Sequence, residues 1–215
     1  MFCDEEMLLD IRLNILNKFV DKFIIVESVY THSGKKRDLV FNIENYKKFK
    51  DKIKYYVVNE KPNQINNINS EDTKKVKENK IIMNAVWFEN TQRNAINNLL
   101  YNADPNDQII ISDLDEIPNL EKIDFNEIKN KLILFKQKMF YYKFNLHYKD
   151  FVWFGSKALK KKNFISPQWL RNIKGKNYPF WRFDTYFSKK KYNNIKFVEN
   201  GGWHFTCIKK PEEIG

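Results

Sequence analysis

Three acids fall within four residues at Asp113-Leu114-Asp115-Glu116, directly after the apolar run Gln108-Ile109-Ile110-Ile111-Ser112. Open α/β sheets place their ligands beyond the carboxyl ends of their strands, so the position itself points to a binding site. In an extended segment side chains repeat every second residue, which sets Asp113 and Asp115 on one side. Two carboxylates on one face offer hard oxygen ligands to Mg2+ or Mn2+ and leave positions open for a phosphate oxygen. A cation held there would neutralise a diphosphate leaving group and keep it in line for displacement. The same spacing also suits a plainer role, a turn or helix start decorated with Asp for capping and dipole reasons.

The elements that must position these acids follow from periodicity. Residues 4–19 read as an amphipathic helix with Leu8, Ile11, Ile15, Leu16 and Phe19 on one face and Asp4, Glu5 and Glu6 at the positive end of its dipole. Phe23-Ile24-Ile25-Val26 is a continuous apolar run stopped by Glu27, the profile of a buried parallel strand, and Lys54–Val58 is a second strand. Residues 59–80 are rich in Asn, Lys and Glu with little periodicity and read as a mobile surface loop. A helix is expected from Asn84 to about Ala103, with Phe88, Ala95, Ile96, Leu99 and Leu100 on one side, ending at the turn Asp104-Pro105-Asn106-Asp107. Leu132 to Asn145 reads as one longer strand. This alternation predicts an α/β fold with a mostly parallel central sheet flanked by helices, and residues 1–215 as a single domain.

Composition narrows the setting. The 215 residues are 42% hydrophobic and 16% aromatic, which supports one sizeable core and excludes a disordered chain. No apolar run approaches the ~20 residues of a membrane helix, and the opening Met1-Phe2-Cys3-Asp4-Glu5-Glu6 lacks the pattern of a signal peptide. The expectation is a cytoplasmic protein, soluble or peripherally attached to an anionic membrane. The net charge of +11 favours a polyanionic or phosphorylated partner. Only five of the 38 basic residues are Arg (Arg12, Arg37, Arg93, Arg171, Arg182), however, and Arg is the usual bidentate reader of phosphate and guanine. Lys160-Lys161-Lys162 and Lys189-Lys190-Lys191 look like solvated faces, so nucleic acid is not expected. Cys3 and Cys207 lie far apart without zinc-type spacing, which argues against both a zinc site and a disulfide framework.

The order of motifs resembles glycosyltransferase family 17. The matching stretches are Leu8-Leu9-Asp10-Ile11-Arg12-Leu13, then Val20 to Ser28 with Thr31 and Gly34-Lys35, and Glu89 with Gln92-Arg93. They continue through Ile110 to Pro118, Ser166-Pro167-Gln168-Trp169-Leu170-Arg171, and Gly201-Gly202-Trp203-His204-Phe205. The resemblance implies a GT-A fold and a metal-dependent, inverting transfer of N-acetylglucosamine or a related hexose. The donor would be a UDP-sugar, UDP-GlcNAc first, and the acceptor a hydroxyl of a glycan. It implies that Asp113 and Asp115 bind Mn2+ or Mg2+ and the donor, with Asp115 the direct ligand and Asp113 also on the nucleotide. Glu27, Ser28, Thr31 and Lys35 would line the nucleotide end of the pocket, with Arg93 at the same edge pairing with an acid or a phosphate. A late His on the metal or diphosphate is common in such folds, and His204 follows Gly201-Gly202, where backbone can approach a ligand closely. A lone His between Trp203 and Phe205 is otherwise most often a packed core residue.

Inversion needs a general base for the acceptor hydroxyl. Asp184, among Trp181, Arg182 and Phe183, is the first candidate, because an acid among aromatics can have a raised pKa; an ion pair with Arg182 or a nearby Lys is its plainer role. Glu116 and Glu199 compete. Phe180, Trp181, Trp169 and Tyr178 suggest an acceptor platform, against the plainer expectation that most aromatics are core. Family sequences extend past both ends of this chain, so the domain is expected to be cut at both ends. Two other classes fit parts of the pattern. One is a metal-dependent nuclease or nucleotidyltransferase, which would want further acids and a basic groove. The other is a glycan-binding module that has lost turnover.

Overall fold

The computed structural model describes residues 5–179, 181–188 and 191–208. The chain divides into two compact units, one of Met1–Glu6 with Val20–Asn102 and one of Met7–Phe19 with Ala103–Gly215. In chain order the elements are α1 (Glu6–Leu16), β1 (Phe23–Ser28), β2 (Ile53–Val58), α2 (Lys74–Asn94), β3 (Gln108–Ile111), β4 (Glu116–Pro118), β5 (Leu132–Phe135), β6 (Gln137–Tyr141), β7 (His147–Trp153), β8 (Lys157–Lys160), α3 (Pro167–Asn172), α4 (Asp184–Phe187), β9 (Ile195–Val198) and β10 (Gly202–Thr206). Among the described residues no helix is long and apolar enough to cross a membrane.

In the first unit β1 and β2 pair in parallel, from Phe23↔Ile53 to Ser28↔Val58. Phe23, Ile25 and Val26 of β1 and Val58 of β2 are buried, as are Tyr46 and Phe49 from the connecting segment and Phe88 from α2. Gln92 of α2 donates from Nε2 to the Val26 carbonyl at 3.0 Å, fastening helix to strand. The helix begins well before Asn84: Thr73 caps it by accepting from the Val76 N–H at 3.4 Å, so residues 74–80 are helical, not loop. That first stretch, Lys74–Lys80, is almost all Lys, Glu and Asn on a solvated surface, which left no apolar stripe to read.

The second unit holds two four-stranded sheets, ordered β4-β10-β6-β7 and β3-β8-β5-β9. The fold is mixed α/β, but the expected mostly parallel sheet is not what forms. In these sheets β10–β6 and β5–β9 run parallel, while β10–β4, β3–β8, β5–β8 and β6–β7 are antiparallel. For β6 and β7 the physical reason is connection length: parallel neighbours need crossovers of about a dozen residues or more, and only residues 142–146 join these two strands. β5 is the buried centre: Leu132, Ile133, Leu134 and Phe135 are closed to solvent, with Ala158 and Leu159 of β8 and Val198 of β9 beside them.

Helix α1 is rotated from the face expected of it. Leu8, Leu9, Leu13 and Leu16 are buried, while Ile15 and Phe19 are exposed. Leu9, Arg12, Leu13 and Leu16 form an i, i+3, i+4, i+7 stripe, with a cation in the middle of it.

Candidate active site

Arg12 shows why α1 turns that face inward. Its guanidinium donates from one nitrogen to the carbonyls of Asp113 (2.9 Å) and Glu116 (2.6 Å) and from another to Ser112 Oγ (2.5 Å). It therefore grips the acid loop by its backbone. Burial pulls the Arg12 pKa down, against the opposing charges of Glu116, Asp113 and Asp115. The loop is not extended. Glu116 N–H donates to the Asp113 carbonyl at 3.2 Å across a turn at Leu114-Asp115, and the Leu114 side chain is buried. Asp113 and Asp115 are thus presented by a turn anchored on Leu114, not by strand alternation.

Two of the three acids share Arg171, and the third meets His204. Glu116 is fully buried and accepts four bonds: from Asp113 N–H (2.9 Å), Trp153 Nε1 (2.5 Å) and two Arg171 nitrogens (2.6 and 3.0 Å). A carboxylate has about four acceptor positions, so Glu116 is saturated. Asp113 pairs with Arg171 at 2.8 Å. Asp115 pairs instead with His204, Oδ2 to Nε2 at 3.1 Å. Arg171 is held from α3, where Ser166 caps Pro167–Asn172 by accepting from Trp169 N–H, and buried Lys157 donates to the Arg171 and Ile173 carbonyls at the far end. Burial works against its charge, but Glu116 and Asp113 outweigh that and hold the Arg171 pKa above the ordinary value.

His204 reaches Asp115 through sheet register. β10 runs antiparallel to β4 with His204 opposite Glu116, and Phe205 N–H donates to the Asp115 carbonyl at 2.9 Å. Gly202 makes this pairing possible: its φ is +128°, and a Cβ would sit 2.1 Å from the Ile117 carbonyl oxygen. The glycine thus admits neighbouring backbone, not the ligand expected there. The imidazole lies 7% exposed, stacked on Trp153 at 4.8 Å and 18°, with Thr206 Oγ1 at 3.2 Å from Nε2. Its Nδ1 is buried without a hydrogen-bond partner among the described residues, so stacking and Nε2 orient the ring.

The remaining sequence candidates lie in other surroundings. Glu27 is fully buried in the first unit and accepts from Arg37 (2.5 Å), Tyr55 Oη (2.7 Å) and the N–H groups of Val40 (2.9 Å) and Phe41 (3.2 Å). Burial first, then the Glu27 contact, pushes the Tyr55 hydroxyl pKa well up. Ser28 Oγ accepts from Tyr30 N–H, and Thr31 and Lys35 close a turn through Thr31 N–H to the Lys35 carbonyl (2.8 Å) and Lys35 N–H to Thr31 Oγ1 (3.1 Å). Buried Arg93 pairs with Glu89 at 2.6 Å.

Asp184 does not have the raised pKa expected of it. It is exposed and paired with Arg182 and Lys191, both at 2.7 Å, and their hydrogen bonds hold its carboxyl far below the usual carboxylate range. Glu199 pairs with Lys136 at the surface. Of the proposed platform, Tyr178 is buried beneath Arg182 and Lys191, Trp169 meets Tyr192 edge-on, Trp181 is exposed, and Phe180 lies outside the described residues. Arg12, Arg171, Trp153 and Thr206 are the site residues that motif reading did not assign.

An anchored loop of acids after a strand, with an imidazole on one of them, is a site of the kind that handles charged leaving groups in α/β enzymes. The family comparison says which kind. Residues 1–165 match glycosyltransferase family 17, and the chain belongs to that family. It is a glycosyltransferase, whose substrates are a nucleotide-sugar donor and a glycan acceptor. No curated protein and no solved structure matches the chain.

Proposed function

We propose that this chain transfers N-acetylglucosamine or a related hexose from a UDP-sugar to a glycan hydroxyl, with inversion and with Mn2+ or Mg2+ at Asp115 and His204. The observation that carries this is the 3.1 Å pairing of Asp115 with His204, in a loop whose other two acids are engaged by Arg171. The donor set fits a cation that keeps most of its positions for water and phosphate oxygens, since such ions are held by one or two protein groups plus substrate. Among the described residues no three His, Cys, Asp or Glu side chains converge into a closed cage. When bound, the cation neutralises charge developing on the diphosphate.

The chain's own part is preorganisation. Arg12 and buried Leu114 hold the loop, Phe205 N–H fixes the Asp115 backbone, and Trp153 keeps the imidazole flat. Glu116, with every acceptor position in use, positions Arg171 and Trp153. The UDP-GlcNAc donor, the inversion and the GT-A assignment rest on likeness to the family, and the parallel β1–β2 pair and the acids after β3 are in keeping with them.

Thermal-shift titration of UDP-GlcNAc with and without Mn2+ tests the reading on wild type, Asp115→Ala and His204→Ala. A donor at a hundredfold excess over its Kd stabilises the native state by about 2.7 kcal/mol. That gain should require Mn2+, vanish in Asp115→Ala and shrink in His204→Ala. Transfer should fall by about a hundredfold or more in Asp115→Ala, beyond what loss of an outer contact causes. A folded wild type that no nucleotide sugar stabilises would sink the proposal.

A further inference from the structure

Six rings run in series through the second unit and end on the site. Tyr142 lies 5.9 Å from Tyr141, Tyr141 is 6.1 Å from Tyr148, Tyr148 is 6.3 Å from Phe151, and Phe151 is 6.0 Å from Trp153. Trp153 is 4.8 Å from His204, whose Nε2 touches Asp115. Trp153 has its indole N–H on Glu116 and the Arg171 guanidinium 5.6 Å from its ring, so it closes the inner end of the row.

Two backbone irregularities place the outer rings. β6 and β7 pair Lys138 with Val152 but Met139 with Tyr148, so Lys149, Asp150 and Phe151 bulge out of the ladder. Bulges re-aim side chains, and this one lays the Phe151 ring between Tyr148 and Trp153, at 21° to Tyr148. Tyr142 has φ +62°, and Lys143 N–H donates to the Tyr141 carbonyl at 2.6 Å, a γ-turn geometry that bulky residues rarely hold. β7 is an edge strand, and Tyr142, Tyr148 and Phe151 are 51%, 49% and 41% exposed. Open aromatic rings on a sheet edge invite unwanted association, so the arrangement calls for a ligand.

We infer that Tyr148 and Phe151, with Tyr142 at the outer end, form the acceptor subsite, a stacking platform for an oligosaccharide whose reacting end meets Asp115 and His204. This rests on the transfer reading given above. The apolar C–H faces of pyranose rings pack on aromatic faces, while their hydroxyls take hydrogen bonds from amphipathic neighbours. Here tyrosine hydroxyls and the bulged Lys149 and Asp150 are the adjoining polar groups. Asp150 offsets Lys149, and Lys138 and Lys143 leave residues 137–153 modestly positive without an arginine. The glycan assignment therefore rests on the rings and on the transfer reading, and a nucleic acid strand, whose backbone needs a positive groove, is an outcome of the test.

Saturation-transfer NMR on the full chain, with N-acetylchitotetraose, cellotetraose and mannotetraose against their monosaccharides, tests this. The expected result is contact at sugar C–H protons and tighter binding of at least one tetrasaccharide than of its monomer. Phe151→Ala and Tyr148→Ala should each weaken it about threefold to tenfold, Phe151→Tyr should restore it, and Phe187→Ala, at a ring 90% exposed outside the row, should leave it unchanged. Undiminished binding in the Phe151→Ala/Tyr148→Ala double variant would overturn the inference. So would no tetrasaccharide binding to folded wild type, salt-sensitive binding of oligo-dT through these rings, or a wild-type dimer that Phe151→Ala dissociates. The Mn2+-dependent UDP-GlcNAc titration of wild type separates the two claims: donor binding without saccharide binding removes the acceptor subsite alone, and no donor binding removes the transfer reading.

Discussion

Glu27 in the first unit and Glu116 in the second are both fully closed to solvent, and both are held by an arginine, an aromatic donor and backbone N–H. Glu27 meets Arg37 one to one, with Tyr55 and two backbone amides completing its shell. Around Glu116, three carboxylates (Asp113, Asp115 and Glu116) face two guanidiniums, Arg12 and Arg171. The first arrangement is closed and its work is to pin residues 37–41 to the strand pair. The second leaves one acid beyond what its arginines engage, and that acid meets an imidazole. Surplus charge of this kind attracts a cation; a balanced pair does not.

Removing each arginine should separate the two most strongly. Breaking a buried pair by deleting one partner costs about 3–5 kcal/mol, because the other charge is left uncompensated. Arg171→Ala strands Glu116 and Asp113 together, whereas Arg37→Ala leaves Glu27 with Tyr55 and two amides. Urea denaturation followed by fluorescence should therefore show the larger loss for Arg171→Ala, and equal losses would break the comparison. Gly155→Ala probes the same contrast more gently. A Cβ there would fall 2.1 Å from Glu116 Oε1 and 2.4 Å from Trp153 Nε1. Overpacking of this kind costs about 1–3 kcal/mol, and a melting temperature within error of wild type would show that the Glu116 shell is softer than its four bonds suggest.

The strands legible in the sequence are those whose apolar runs are unbroken: β1, β2 and β3 formed close to where they were read. Leu132 to Asn145 looked like one strand for the same reason, yet it is two, β5 in one sheet and β6 in the other. The chain changes sheets at Lys136, whose N–H donates to the Val198 carbonyl and whose carbonyl accepts from Gly201. No Gly or Pro marks that crossing, because partners more than sixty residues later make it. Arg12 was hidden by the rule that defines an amphipathic face, since a cation in the stripe reads as an interruption. Arginine scarcity was the signal that would have found it. Arg12 grips loop backbone, and Arg37, Arg93, Arg171 and Arg182 each pair with a carboxylate, while among the described residues most lysines are exposed and Lys157 is buried. The pairing of Asp115 with His204 joins residues 89 apart in sequence, a distance no local spacing reports.

Asp184 offers the smallest effect and the sharpest contrast with the buried pairs. Its carboxylate is exposed, and Arg182 and Lys191 lower its pKa through hydrogen bonds to the charged form. A carboxyl whose folded pKa is depressed contributes stability that is fully present above its unfolded value, about 3.9. That contribution is lost as pH falls through the ordinary range toward the lowered value. The melting-temperature gap between wild type and Asp184→Asn should thus be visible near neutral pH and close in acid. High salt should close it too, because exposed pairs are screened, whereas the deficit of Arg171→Ala should persist in salt. Transfer activity adds the decisive readout. An acid whose proton affinity is suppressed by two cations is a weak base, so Asp184→Asn should leave turnover within about tenfold of wild type, below the roughly hundredfold or more that a general base supplies. A loss of about a hundredfold or more would instead mean that substrate binding breaks the ion pair and frees Asp184 to take the acceptor proton.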